Sequence, residues 1–178
     1  MPNVILVDEH DVEIGVAEKL RVHERGLLHR AVSVFVLNAR DELLLQRRAR
    51  SKYHCGGLWS NTACGHPEPG EPTARAASRR LAEEMGIRCA LQAAGRFEYR
   101  LPVGRGLTEH ECDHVFLGRA DANPLPDASE VEGWRWMPLD AVERAVRDEP
   151  ARYTPWLPPA LAQLRRGASD ALAAARSG

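Results

Sequence analysis

"GHPEPGEPTARAASRRLAEEMGI" (residues 65–87) runs from a glycine-led loop into a helical pattern, and its spacing decides how the chain is read. Five residues separate Gly65 from Glu71, seven more separate Glu71 from Arg79, and Arg80-Leu81-Ala82-Glu83-Glu84-Met85-Gly86-Ile87 follows. Pro72 at a first-turn position and Gly86 after the last periodic residue predict a helix over 72–86. On it Arg80 and Glu84, four apart, share one face. A guanidinium that grips anionic oxygen and a carboxylate that can hold Mg²⁺ therefore stand together. The charged face of an isolated helix is ordinarily solvated surface. The glycine loop and the full spacing ahead of this one favour a site. Just upstream, "NTACG" (61–65) sets Cys64 against Gly65 and His66. On these residues alone Cys64 is a metal ligand, a nucleophile or a small core residue.

Outward from this segment, "AVSVFVL" (31–37), the turn-forming "NARDE" and "LLLQ" (43–46) predict a hairpin. Alternation in "RFEYRL" (96–101), the extended "EHECDHVFLG" (109–118) and the short "WRWMP" (134–138) predict strands. "LDAVERAVRDEP" (139–150) is a helix stopped by proline, "TPWLPPA" a proline-braced loop, and the Ala/Arg-rich end (160–178) a fraying helix. The pattern predicts an α/β (α+β mixed) chain, a mixed sheet flanked by helices. At 178 residues, 44% hydrophobic, it is expected to form one domain around one core.

Charge and cysteine usage narrow the partners. A formal charge of −1 and the lack of a Lys/Arg-rich tract argue against nucleic acid. "MPNVILVDEHD" lacks the basic flank and apolar length of a signal peptide, and no stretch approaches a membrane span. Cys55, Cys64, Cys89 and Cys112 show no close pairing and are read as thiols, which with the missing leader predicts a cytoplasmic protein. The 24 basic residues are 22 arginines and two lysines, Lys19 and Lys52, so a lysine here hints at a local need.

The segment 65–87 closely resembles the Nudix box, G-x5-E-x7-R-E-U-x-E-E-x-G-U with U bulky and apolar. It departs at one position, where Arg80 replaces the first helical glutamate that serves water activation in the hydrolases. That departure, with "ACGH" (63–66), "TEHEC" (108–112), Tyr99, Trp156 in "TPWLP", and His23 and His29, makes the chain similar to the type I isopentenyl-diphosphate isomerases from about Val4 to Pro158. The resemblance implies a Nudix-like fold and a metal held by His23, His29, His66, Glu109 and Glu111. A strand's period of two independently puts Glu109 and Glu111 on one face. Three imidazoles and two carboxylates suit Mn²⁺ or Mg²⁺ and would also accept Zn²⁺. A second Mg²⁺ is expected between Glu84, backbone near Cys64 and a diphosphate. Lys19, Arg48, Lys52 and Arg80 are the implied diphosphate cations, while Arg47 should face away.

The implied reaction moves a double bond in a small isoprenyl diphosphate by adding one proton and removing another two carbons away. The family assigns the two steps to Cys64 and Glu111, with Tyr99 relaying or orienting the proton. Trp156 would stabilise the carbocation between them, and Trp59 is expected to help close the cavity. Trp134 and Trp136 are expected in the core, and His54, His110 and His114 in structural roles. Two other readings stay open at this level: a Nudix diphosphate hydrolase, against which Arg80 speaks, and a non-catalytic metal- and phosphate-binding domain.

Overall fold

The computed structural model describes residues 2–176, with side chains in the last helix through Ser169. Its centre is β3 (His29–Leu37), which β8 (Leu107–Arg119) pairs in parallel along its whole length. The other edge of β3 is shared in succession by β1 (Asn3–Val7) at His29, β6 (Ala63–Gly65) at Val32 to Val34 and β4 (Glu42–Arg48) at Leu37. β2 (Glu13–Glu18) extends the sheet beyond β1, β5 (Trp59–Ser60) and β9 (Val131–Pro138) pair with β4, and β7 (Leu91–Gly104) forms a long hairpin with β8.

"AVSVFVL" is apolar throughout because helices cover both faces of β3. Val32, Val34 and Val36 meet Leu81 and Met85 of α2 (Thr73–Met85). Phe35 and Leu37 meet Val142 and Val146 of α3 (Leu139–Asp148) and Leu157, Leu161 and Leu164 of α4 (Leu157–Arg176), counting the short α1 (Lys19–Arg25) as the first helix. Helix α2 ends at Gly86, whose φ of 66° is the left-handed cap that the box glycine predicts.

Several expectations change in detail. The apolar start forms the first strand of a hairpin, β1–β2. "TPWLPPA" is only half a loop: α4 begins at Leu157, with Pro158 and Pro159 in a first turn where a missing N–H breaks no intrahelical bond. The strands over 96–101 and 109–118 lie inside longer ones, 134–138 is the end of a strand that begins at Val131, and α3 stops at Asp148, just ahead of the expected proline. Residues 177–178 of the expected last helix, and the side chains of 170–176, lie outside the described part. Among the described residues no helix is long and apolar enough to cross a membrane.

Candidate active site

Register explains how distant residues share one face. Ser33 pairs with Cys64 on one edge of β3, His29 pairs with Glu111 on the other, and Tyr99 of β7 pairs with Glu111 across β8. Paired residues point the same way, and residues two apart on a strand agree. Cys64, Ser33, His29, Glu109, Glu111 and Tyr99 therefore project to the face that α4 covers further along. There all of them except the fully buried His29 line a cavity of about 240 Å³ together with Lys19, Arg48 and Trp156. That is below the ~300–1,000 Å³ typical of drug-sized ligands, and suits a small one.

Histidines gather at one end. Helix α1 carries Lys19 and His23 four apart on one face, Lys19 lining the cavity and His23 fully buried, and Gly26 ends the helix in the left-handed conformation. His23 Nδ1 donates to the Lys19 carbonyl at 2.6 Å and His29 Nδ1 to the Leu27 carbonyl at 2.9 Å. Each donation leaves Nε2 as the bare lone pair. His29 Nε2, His66 Nε2 and Glu111 Oε1 form a triangle with sides of 3.2, 2.9 and 3.4 Å. Neighbouring ligands of an octahedral ion with bonds of ~2.1 Å stand roughly 3.0 Å apart. His23 Nε2 is buried and has no hydrogen-bond partner among the described residues. His23, His29, His66 and Glu111 thus fit a divalent ion as they stand, and Glu109 Oε1 lies 3.7 Å from His23 Nε2.

The box builds the other end. Arg79 bonds both oxygens of Glu71, at 2.9 and 2.7 Å, and the His66 carbonyl at 3.1 Å. This clamp ties the loop that carries His66 to α2. Arg80 crosses Gly65, where an added Cβ would stand 2.7–2.9 Å from its Nε, Cδ and Cγ, so the box glycine is the space for this side chain. Arg80 Nη2 then meets Glu84 Oε1 at 2.7 Å, as the helix face requires, while Gln46 holds Glu84 Oε2 at 2.5 Å. In the backbone near Cys64, where the Mg²⁺ site is expected, the Cys64 carbonyl accepts from Arg80 Nε at 3.3 Å. Lys52 and Arg80 converge on one oxygen of Glu130, a carboxylate that no sequence signal announced because it reaches the site from the loop before β9.

Between the ends lie Cys64, Tyr99 and Glu111, the groups expected from the sequence to move protons. Burial, assisted by the Glu84 charge, pushes the Cys64 thiol up to about 12 against the pull of Arg48, whose Nη1 is 3.9 Å from Sγ. The Tyr99 hydroxyl is 2.6 Å from Glu111 Oε2 and 2.8 Å from Glu109 Oε2. A phenol has one hydrogen to share between them. Burial and the Glu109 charge raise the pKa of Glu111. Glu109 is buried too, yet the neighbouring imidazoles of His23 and His54 hold it well below the usual carboxylate range. Trp156 Nε1 donates to Asn61 at 3.3 Å, which orients the ring, and Arg48 stands 5.2 Å from its centroid.

Some residues are not where sequence put them. Trp59 does not line the cavity; it packs beside the α4-side core with Arg135 4.2 Å from its ring, because the short β5 turns it away. Trp134 is 36% exposed on the outer strand β9, whereas Trp136 does pack against the α2-side core. His110 and His114 bond Glu98 and Asp11, which suits structural roles. His54 differs: its Nε2 is 3.0 Å from Glu109 Oε1. Arg47 pairs with Glu132 away from the cavity, as alternation predicts.

The chain matches the NUDIX domain over residues 27–157. It is 53% identical over 154 residues to isopentenyl-diphosphate Delta-isomerase 2 of Aromatoleum aromaticum, covering 86% of this chain and 82% of that one. It is 47% identical to isopentenyl-diphosphate Delta-isomerase of Pectobacterium atrosepticum, covering 88% and 87%. Among solved structures a Deinococcus radiodurans protein superposes with a TM-score of 0.76 at 18% identity, covering 91% of this chain and 98% of that one, a likeness of fold. With half of its residues shared across most of both lengths, and with the box, the histidine cluster and the cysteine loop gathered on one cavity, the chain belongs to the NUDIX domain family and, within it, to the isopentenyl-diphosphate Delta-isomerases.

Proposed function

We propose that the protein converts isopentenyl diphosphate to dimethylallyl diphosphate by a 1,3-allylic proton shift, with Cys64 and Glu111 as the acid/base pair. The observation that carries this assignment is their arrangement: the two groups reach one small cavity from strands on opposite edges of β3. A substrate between them meets a proton donor on one side and an acceptor on the other. One adds a proton to the terminal methylene, the other removes one from the carbon next to the diphosphate-bearing carbon, and the double bond moves with no net change in atoms. Tyr99, within hydrogen-bond reach of Glu111, orients the carboxyl and passes its proton.

Protonation makes a tertiary carbocation that water would trap as an alcohol. The indole face of Trp156 offers it a cation–π contact worth about 1–2 kcal/mol in a desolvated site, and offers no nucleophile. Lys19, Arg48, Lys52 and Arg80 bind the diphosphate by charge-assisted hydrogen bonds. Glu130, which already holds Lys52 and Arg80, keeps both near the cavity. His23, His29, His66, Glu109 and Glu111 would hold Mn²⁺, Mg²⁺ or Zn²⁺, and Glu84 with the diphosphate would hold Mg²⁺. Bound there, divalent ions would withdraw charge from the Glu111 carboxylate and neutralise phosphate oxygens.

Incubating purified, metal-loaded protein and Mg²⁺ with isopentenyl diphosphate, while following the allylic isomer and free phosphate, tests the reading. Allylic product without phosphate is expected. Phosphate release would make the protein a hydrolase, and neither product would leave a binding domain.

A further inference from the structure

His54 lies on the loop between β4 and β5, outside the ligand set of the proposed metal site, and is only 6% exposed. Its Nε2 is 3.0 Å from Glu109 Oε1. Ionised carboxylate oxygen only accepts, so Nε2 carries the hydrogen and donates it. The other oxygen of Glu109, Oε2, lies 2.8 Å from the Tyr99 hydroxyl, whose one hydrogen it shares with Glu111 Oε2. Oε1 is therefore the oxygen with a donor of its own, and that bond fixes how the carboxylate is turned. An oxygen has two lone pairs. With one of the Oε1 pairs taken by His54, the other is free to face His23 Nε2, 3.7 Å away and without a partner among the described residues.

The surroundings of His54 fix its own ring. It meets Tyr53 edge-on at 4.4 Å and Trp156 edge-on at 5.9 Å, and its backbone carbonyl accepts from Arg48 Nη2 at 3.3 Å. The ligand atoms of His23, His54 and Glu109 lie within 4.8 Å of one another, as do those of His23, His29, His66 and Glu111. His54 stands in the first group and not in the second.

We propose that His54 is a positioning residue of the metal site: it donates a hydrogen bond to Glu109 Oε1 and, with Tyr99, sets the angle at which Glu109 meets the ion. This rests on the metal reading above. Outer partners of this kind alter metal affinity by ~10–100-fold when removed. The same residue carries the carbonyl that steadies Arg48, so the metal end and the diphosphate end of the cavity share one loop.

Two variants of similar size separate the hydrogen bond from packing. His54→Leu removes the donor and His54→Gln keeps one. Mn²⁺ affinity measured by competition with a chelator should fall by about 10–100-fold in His54→Leu and stay within about threefold of the parent in His54→Gln. X-ray absorption of the metal-loaded parent should count three imidazoles around the ion. Unchanged affinity in His54→Leu, an equal loss in both variants, or a fourth imidazole on the ion would overturn the assignment. A parent protein that holds no ion at the His/Glu cluster would instead overturn the metal reading itself, a result distinct from a parent that binds and a leucine variant that binds equally well.

Discussion

Cys64 and Glu111 stand on strands that pair with opposite edges of β3, and the register turns both side chains to the same face. Neither strand position has a sequence relationship to the other. Their juxtaposition is a product of β8 joining β3 in parallel while β6 joins it antiparallel, and it is the two-sided arrangement that the proposed proton transfer requires.

Cys64→Ser is expected to lower isomerisation more than tenfold while diphosphate binding persists, because a hydroxyl of similar size is far less acidic than a thiol. Product formation and a titration with inorganic diphosphate measure the two separately. A variant keeping more than about a tenth of the rate, roughly 1.4 kcal/mol in barrier, removes Cys64 from the pair.

Glu111→Gln and Glu109→Gln should fail in different ways. Both should lose metal, but only Glu111 is assigned a proton-transfer role, and Tyr99 lies closer to it, at 2.6 Å against 2.8 Å. Excess metal should restore much of the turnover of Glu109→Gln and little of Glu111→Gln. Full recovery of Glu111→Gln would sink its acid/base role.

Arg80→Glu restores the hydrolase form of the box, yet it sets a new carboxylate among Glu83, Glu84 and Glu130, all now bonded to Arg80. A charge-assisted hydrogen bond contributes about 1.5–3 kcal/mol, so isopentenyl diphosphate should bind at least ten- to a hundredfold more weakly. Phosphate release should stay near background, since one carboxylate does not position a water. Calorimetric titration with a parallel phosphate assay decides; unchanged affinity would place the diphosphate elsewhere.

Gly65→Ala should act on binding more than on folding. The new Cβ would press on the stem of Arg80 rather than on backbone, so Arg80 must shift and loosen its hold on Glu84. The expected result is a several-fold rise in KM with a melting temperature within a few degrees of the parent. A collapse in melting temperature with normal KM would mean that Gly65 serves the fold alone.

What the sequence determined by itself was everything that depends on local spacing. The box glycine, the helix it leads into, the Arg80–Glu84 face and the parity of Glu109 and Glu111 follow from periods of 3.6 and 2, which hold wherever the chain folds. Resemblance extended this to His23, His29, His66, Tyr99 and Trp156, residues whose company no period can reveal. Tertiary structure alone decided the rest, because contact between distant strands and loops is set by register and by which edge each strand joins. Trp59 shares the segment of Cys64 yet is turned out by β5, while Glu130 arrives at Lys52 and Arg80 from a loop far along the chain. His54 shows the same limit most sharply. It follows Lys52 by two residues, but what makes it more than a buried histidine is the carboxylate of Glu109, brought to its Nε2 by a hairpin that begins decades of residues later.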